Sequence, residues 1–476
     1  MKPMNTLVIM ADEHHRDLLG CAGHPLVKTP HLDALAARGT RFTNTYTPSP
    51  ICVPARSAFA TGKDVHQIDA WCNALAYDGA PESWHHRLRA AGHHVRSIGK
   101  LHFRGAETDD AGFSESEIPM NIVGGVGDAL GLLRDRSESR GAADKMVRLA
   151  GPGESVYTAY DREISLRSQD WLRSQAPSLG DQPWTLFVSF VSPHFPLTAP
   201  QEFYDLYDHV RIAMPRRYAE AERPRHPYLE DYRSAFAYDT HFKSEADVKR
   251  ALAGYMGLVS FIDAQVGALM AAVSEAGLLE STRVIYTSDH GDNMGARGLW
   301  GKSNMYEDSV AVPLIVAGPD VAQGQIEPTP KSLTDVSRYI AQAGGASGVG
   351  FGERDLFSKD ATPVLSQYHA TGSRSAAYMI RMGRWKYMHY ALYPAQLFDL
   401  ETDPFEQVDL ADDPTFAEDL ARCHAALLAK LDPDLTHQAA LAAQAKRAEE
   451  LGGAQAIIAR GDFGFSPPPG VKATFS

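Results

Sequence analysis

The sequence predicts an α/β protein: a large mixed sheet flanked by helices, followed by a small C-terminal antiparallel sheet with a helix packed on it. Three observations carry this. Short, continuously apolar runs at residues 5–10, 184–191 and 313–317 have the pattern of strands covered on both faces. Helical periods separate them, the longest over residues 251–277, where Leu258, Phe261, Ile262, Val266, Leu269, Met270 and Val273 form one apolar stripe. After residue 365 the text changes to two short strands turning at Gly383-Arg384, a further run at 396–400 and a helix over 416–431. This divides the chain into a catalytic-sized α/β domain (1–365), a small α+β subdomain (366–431) and a tail (432–476). A chain of 476 residues, 44% of them hydrophobic, can bury such a core.

Taken in order, the run at 5–10 delivers Asp12 and Glu13 to the C-terminal end of a central strand, where open α/β sheets bind ligands. Thr29 caps a helix with Pro30 in its first position and Gly39 as its stop, and residues 41–47 are extended. The loop S-P-I-C-V-P-A-R-S-A-F-A-T-G (49–62) follows. Pro50 and Pro54 favour a turn-like path, a helix begins at Arg56, and Cys52 stands at or just before its N-terminus, a place that favours an anion. Residues 81–91 form a helix and 94–98 a strand that exits through Gly99-Lys100-Leu101-His102. Residues 106–150 lose periodicity and read as an excursion beside the site, and 201–249 as an irregular surface segment. The strand at 184–191 ends at Ser192-Pro193-His194, and the strand at 283–287 ends at S-D-H-G-D (288–292), which places Asp289 and His290 side by side opposite Asp12. Lys302 follows in G-L-W-G-K-S-N, and residues 333–342 are a helix stopped by Gly344-Gly345. From 432 a polar helix leads into R-G-D-F-G-F-S-P-P-P, a tail without a core of its own.

C-V-P-A-R followed by T-G resembles the C-x-P-x-R…TG signature of the Cys-type sulfatases of the alkaline-phosphatase-like superfamily, nearest their choline-sulfatase and phosphonate monoester hydrolase branch. G-K-L-H, S-P-H-F-P, S-D-H-G-D and the W-K-Y…L-F-D-L-x-x-D-P run resemble further elements of that family. The resemblance implies that Cys52 is converted by a formylglycine-generating maturation enzyme to formylglycine, whose hydrated aldehyde is the nucleophile. It implies a metal held by Asp12, Cys52, Asp289 and His290, with Glu13 as a possible fifth ligand, since most members carry a second Asp there. Hard oxygen ligands suit Ca²⁺ and an imidazole shifts preference toward Mn²⁺, so one of these two is expected. It further implies that Arg56 polarises the nucleophile, that Asp289 is its base, and that Asn73, Lys100, His194 and Lys302 contact the sulfate. His194 or Lys302 would protonate the leaving oxygen and His102 would take the second gem-diol proton. The expected activity is hydrolysis of a small organic sulfate monoester. A phosphonate monoester or phosphodiester hydrolase is the alternative, against which the Lys100/His102 pair speaks. A non-catalytic metal-binding protein is a further one, and it requires Lys100, His102, His194 and Lys302 to be coincidence.

A net charge of -13 with no basic run argues against nucleic acid or an anionic membrane as partner, so an anionic substrate must be drawn by a local positive site. The first apolar run is too short for a signal segment, no stretch reads as a membrane span, and the four cysteines (Cys21, Cys52, Cys72, Cys423) form no disulfide framework; the expected compartment is the cytoplasm. Tails of similar text in relatives reach a neighbouring subunit, so a homodimer or homotetramer is expected. A choline site needs an aromatic cage with a carboxylate. Residues 120–131 contain no aromatic residue and residues 367–373 no acid, so a neutral or anionic alcohol is expected instead.

Overall fold

The computed structural model describes residues 4–135 and 139–475. Its centre is β1 (Asn5–Asp12), whose alternate side chains serve two cores: Leu7 and Ile9 on one face, Val8 and Met10 on the other. The strands β2 (Gly39–Tyr46), β3 (His94–Lys100), β4 (Glu115–Met120), β5 (Trp184–Pro193), β6 (Thr282–Ser288), β7 (Ala311–Ala317), β8 (Gln325–Glu327) and β9 (Lys331–Ser332) complete a nine-stranded sheet. Its order is β8-β2-β7-β6-β1-β5-β3-β4, with β9 also on β2; β7 alone runs against the rest. β1 pairs in parallel with β5 and β6, so the ends that carry Asp12, His194 and Asp289 lie side by side.

Helices α1 (Pro30–Ala37), α2 (Cys52–Thr61), α3 (Trp84–Ala90), α4 (Val156–Ser174), α5 (Pro227–Phe236), α6 (Glu245–Glu275) and α7 (Leu333–Ala343) surround the sheet. Leu32, Ile164, Phe261 and Val266 of α1, α4 and α6 cover one face; Phe59, Trp84, Leu88 and Ile340 of α2, α3 and α7 cover the other. By length and composition α6 could cross a membrane, contrary to the sequence reading that no stretch approaches a span. Its apolar stripe is packed on the sheet instead. The second sheet is a four-stranded antiparallel meander, β10 (Val364–Tyr368), β11 (Ala377–Met382), β12 (Trp385–Tyr390) and β13 (Gln396–Asp399), with α8 (Ala417–Leu428) on one face through Cys423 and Leu427. Its other face, through Tyr368 and Met379, meets Tyr228 and Phe236 of α5.

Several expectations need correction. The helix that bears Cys52 starts at Cys52, four residues before Arg56, because Pro54 falls within its first turn, where a missing N–H costs nothing. Gly39 opens β2 rather than ending α1, whose last turn closes on Arg38. Residues 106–150 contain the edge strand β4, whose exposed outer side hid its periodicity. Residues 201–249 contain α5 with the i, i+4, i+8 stripe Tyr228, Tyr232, Phe236, and the start of α6. The tail forms α9 (Pro433–Glu450) and α10 (Gly453–Arg460), docked through the buried Ala440, Ala448 and Ile457, and then crosses the mouth of a cavity in its own chain.

Candidate active site

The site is assembled where β1, β5 and β6 end and α2 begins. Asp12 closes β1. Arg56 of α2 bridges the two strand-end carboxylates, with Nη2 2.9 Å from Asp12 Oδ2 and Nε 2.8 Å from Asp289 Oδ2. Its remaining donor, Nη1, is satisfied by the Lys100 carbonyl and Ser189 Oγ at 2.9 and 2.8 Å, so the guanidinium is locked. Cys52 Sγ is 3.2 Å from His290 Nε2 and 3.8 Å from Asp12 Oδ1. One donor atom from each of Asp12, Cys52, Asp289 and His290 lies within 4.8 Å of every other, and all four residues are buried. Glu13 is not in this cluster; it groups instead with Asp12 and His194.

Glu13 has φ 69°, a left-handed backbone that a non-glycine residue holds only under constraint. The constraint is visible: its N–H donates to Asp289 Oδ1 at 3.1 Å and its carbonyl accepts from Tyr255 Oη. The turn aims the Glu13 carboxyl at Lys302 Nζ (2.7 Å) and His194 Nε2 (3.4 Å). Lys100 Nζ lies 2.6 Å from Asp12 Oδ2. His102, also at positive φ (54°), is buried with neither ring nitrogen hydrogen-bonded. Asn73 lines the same cavity, and its Oδ1 accepts from Val53 N at 3.0 Å, tying it to the first turn of α2. Every residue expected at the site from the sequence is therefore within or beside this one cavity.

The electrostatics follow from burial around fixed charges. Desolvation opposes the Asp12 charge, but Lys100 and Arg56 outweigh it and hold the carboxyl well below the usual range. Burial pushes Glu13 up to about 8 in spite of Lys302, and Asp292 up to about 6. Burial works against Lys302 as well, yet Cys52 and Glu13 outweigh it and keep the ammonium charged above its ordinary value. Burial, then Lys100 and Arg56, holds His102 well below its ordinary value; burial and Lys302 do the same to His194, so both imidazoles are neutral at pH 7. His194 Nδ1 donates to the Phe195 carbonyl at 2.7 Å, which turns Nε2 to the cavity side. Burial, with Asp12 beside it, pushes the Cys52 thiol up to about 12. A thiol so protonated is a poor nucleophile.

Sequence reasoning missed Asp161, Asp292 and the aromatic lining. Asp161 of α4 accepts from Val191 and Ser192 N at 2.7 and 2.8 Å and fixes the loop that carries His194. Asp292 stood in the S-D-H-G-D text unused. The cavity's outer half is lined by Tyr232, Phe236 and Tyr238 from and after α5, and by Phe463 and Phe465 of the tail. Residues 120–131 carry no aromatic residue, as read from the sequence; the rings come from other segments, and Tyr368, from 367–373, lines the cavity with them. The 4-residue stripe of α5 was the available signal.

The sequence pattern of the Sulfatase family matches residues 4–346. The chain is 33% identical over 429 residues to a choline-sulfatase of Rhizobium meliloti, covering 86% of this chain and 83% of that one. It is 28% identical over 442 residues to arylsulfatase K of Bos taurus, covering 86% and 78%. Among solved structures, a phosphonate monoester hydrolase of Silicibacter pomeroyi superposes with a TM-score of 0.72 at 23% identity, over 90% of this chain and 95% of that one, which is a likeness of fold.

Proposed function

The chain belongs to the sulfatase family, a family of sulfuric ester hydrolases that use a metal and formylglycine, and from that membership we propose hydrolysis of a small organic sulfate monoester by an oxygen nucleophile derived from Cys52. The observation that carries this reading is the position of Cys52: a buried thiol too basic to attack, 3.2 Å from His290 and surrounded by Asp12, Asp289, Lys100 and Lys302. Asp12, Asp289, His290 and residue 52 fit a divalent cation, Ca²⁺ or Mn²⁺, because their donors converge in one buried cluster of oxygens and an imidazole. When present, the cation supplies positive charge against the sulfate oxygens, and the hydrated aldehyde of residue 52 supplies the attacking oxygen and a second hydroxyl for releasing sulfate.

The remaining work belongs to the side chains described above. Lys100, Lys302 and Arg56 concentrate positive charge where a sulfuryl group must be approached by an electron-rich oxygen. Asp289, its oxygens oriented by Arg56 Nε and by the Glu13 and His290 N–H groups, is the base for the nucleophile. Lys302, charged and on the cavity wall, donates the proton to the leaving oxygen; His194 is neutral, and its Nε2 faces the Glu13 carboxyl. His102, neutral with both nitrogens unpartnered, accepts the proton whose removal expels sulfate. Lys100 and His102 entering the cavity together favour sulfate over the phosphonate alternative. The test is a panel of sulfate and phosphonate esters assayed side by side, with mass spectrometry of the Cys52 peptide. Sulfate esters should be turned over best, and the peptide should carry an aldehyde in place of the thiol. Preferred turnover of phosphonate monoesters would transfer the chain to the alternative.

A further inference from the structure

Resting on the sulfatase reading for the anionic end of the cavity, we propose that the alcohol half of the substrate is an uncharged aromatic group, held by a wall that the chain's own C-terminal tail completes, with Phe465 as its specificity-determining residue. The cavity, about 100 Å³, runs from Cys52 and Lys302 outward to this wall. Its rings form one continuous line. Tyr232 to Phe236 is 4.8 Å between centroids, Phe236 to Tyr238 5.5 Å and stacked, Tyr238 to Phe195 6.4 Å, Phe195 to Phe465 5.9 Å, and Phe465 to Tyr157 5.3 Å. These are the separations of offset and edge-to-face pairs, a geometry that a further ring can join.

The tail is fastened at this place by its own side chains. The buried Asp462 lies 3.3 Å from Arg140 Nε and accepts from Ala142 N at 3.3 Å. Lys145 Nζ donates to the Phe463 carbonyl at 3.4 Å, and Tyr157 Oη to the Ser466 carbonyl at 2.6 Å. Gly464 turns the chain at φ 75°, where a Cβ would stand 2.9 Å from Ala142 Cβ, so no other residue passes between these anchors without strain. Phe465 is thus presented to the cavity by a backbone tied down on both sides.

An aromatic wall suits either a ring or a quaternary ammonium, and the charges around it decide between them. Arg140 stands 2.9 Å from Asp128 on one side and 3.3 Å from Asp462 on the other. Lys145 Nζ is 5.9 Å from the centre of the Phe465 ring. Two bases therefore answer the two acids, and a resident ammonium already faces Phe465. Further in, the Glu13 carboxyl is taken by Lys302. An entering cation would meet carboxylates that each have a basic partner, whereas a neutral ring can pack on the edges and faces of Phe465 and its neighbours.

The experiment measures binding of unreactive sulfonates by calorimetry to the full-length protein, so it does not depend on turnover. The probes are benzenesulfonate, methanesulfonate and 2-(trimethylammonio)ethanesulfonate. Benzenesulfonate should bind best. Phe465→Ala should weaken it roughly tenfold while leaving methanesulfonate unchanged, and Phe465→Tyr should restore it. Equal loss of both probes in Phe465→Ala, no loss of either, or tighter binding of the ammonium probe by the parent would overturn the proposal. Co-expression of Phe465→Ala with Cys52→Ala chains tests the tail's attachment: selectivity between aryl and methyl sulfates should stay that of Phe465→Ala alone, and recovery of the parent's selectivity would show the tail acting across subunits. The sulfatase reading itself fails if the parent turns over no sulfate ester or prefers phosphonate monoesters, outcomes the binding measurement does not share.

Discussion

Replacing Lys302 with Met separates proton donation from charge stabilisation. In the structure its ammonium is held 2.7 Å from Glu13, at the cavity wall, and it is charged, raised above its ordinary value. Loss of one fixed charge aimed at a developing anion costs about 10²–10³ in rate. Loss of a general acid costs a further 10²–10⁴, but only where the departing oxygen needs a proton. An alkyl sulfate leaves as a strongly basic alkoxide; 4-nitrophenyl sulfate leaves as a stabilised phenolate. Lys302→Met should therefore lower kcat/KM for the alkyl ester at least about 100-fold more than for the nitrophenyl ester. The fold should survive, because Glu13 is already pushed up to about 8 by burial and can hold a proton when its partner is gone, which limits the stability loss to ~1–3 kcal/mol. Rates for both esters measured across leaving groups decide the matter. A loss independent of the leaving group would remove Lys302 from the acid role and leave it as a sulfate clamp.

Cys52→Ala should lose nearly all turnover while melting like the parent, since a methyl group cannot become the aldehyde, and Cys52→Ser should do the same because a maturation enzyme that acts on the thiol leaves a hydroxymethyl group unoxidised; activity of Cys52→Ala within tenfold of the parent would end the mechanism. Asp289→Asn must turn its amide N–H toward Arg56 Nε, now 2.8 Å from Oδ2, because Oδ1 accepts from the Glu13 and His290 N–H groups; it should lose both metal and activity, and a full metal complement in an active variant, by elemental analysis, would refute the ligand set. His85, stacked 4.0 Å from Phe113 and pushed down to about 3 by burial, stays neutral in the fold while the unfolded chain takes up a proton below about 6.5. The unfolded state then holds more protons, so stability falls as pH is lowered through this window, by about 1.4 kcal/mol per unit. Denaturant titrations at pH 7 and 5 should differ by roughly 2 kcal/mol less in His85→Phe than in the parent, and an unchanged difference would show that another group titrates.

What the sequence made legible was what its chemistry forces into short stretches. A doubly covered parallel strand must be continuously apolar, so the strands at 5–10, 184–191 and 283–287 and the polar residues at their ends could be read directly, and with them Asp12, His194, Asp289 and His290. Cys52 and Arg56 share one helix, and Lys100 and His102 one strand exit. The outer wall was not legible, because it is made by distant segments whose proximity is a property of the whole fold. Phe465 meets Tyr157 and Phe195 across some 270 to 310 residues of chain, and Tyr238 follows a helix whose stripe was buried partly under the small sheet rather than the main core. β4 escaped for the opposite reason: an edge strand whose first half carries Glu115 and Glu117, paired to Arg96, shows no alternating apolar face.

The charges of the site also explain how a chain of net charge -13 can hold an anionic ester. Asp12, Glu13, Asp289 and Asp292 are four buried carboxyls against the three bases Arg56, Lys100 and Lys302, a sum of -1 if all are ionised. Burial raises Glu13 and Asp292, so one shared proton brings the set to neutrality near pH 7. Arg56 and Lys100, the latter on the cavity wall, meanwhile both pair with Asp12. Asp12, Asp289, His290 and residue 52 would hold a divalent cation, and its charge, added to Arg56, Lys100 and Lys302, would leave the pocket positive. The acidic surface would then repel anions in general while the loaded pocket would attract one.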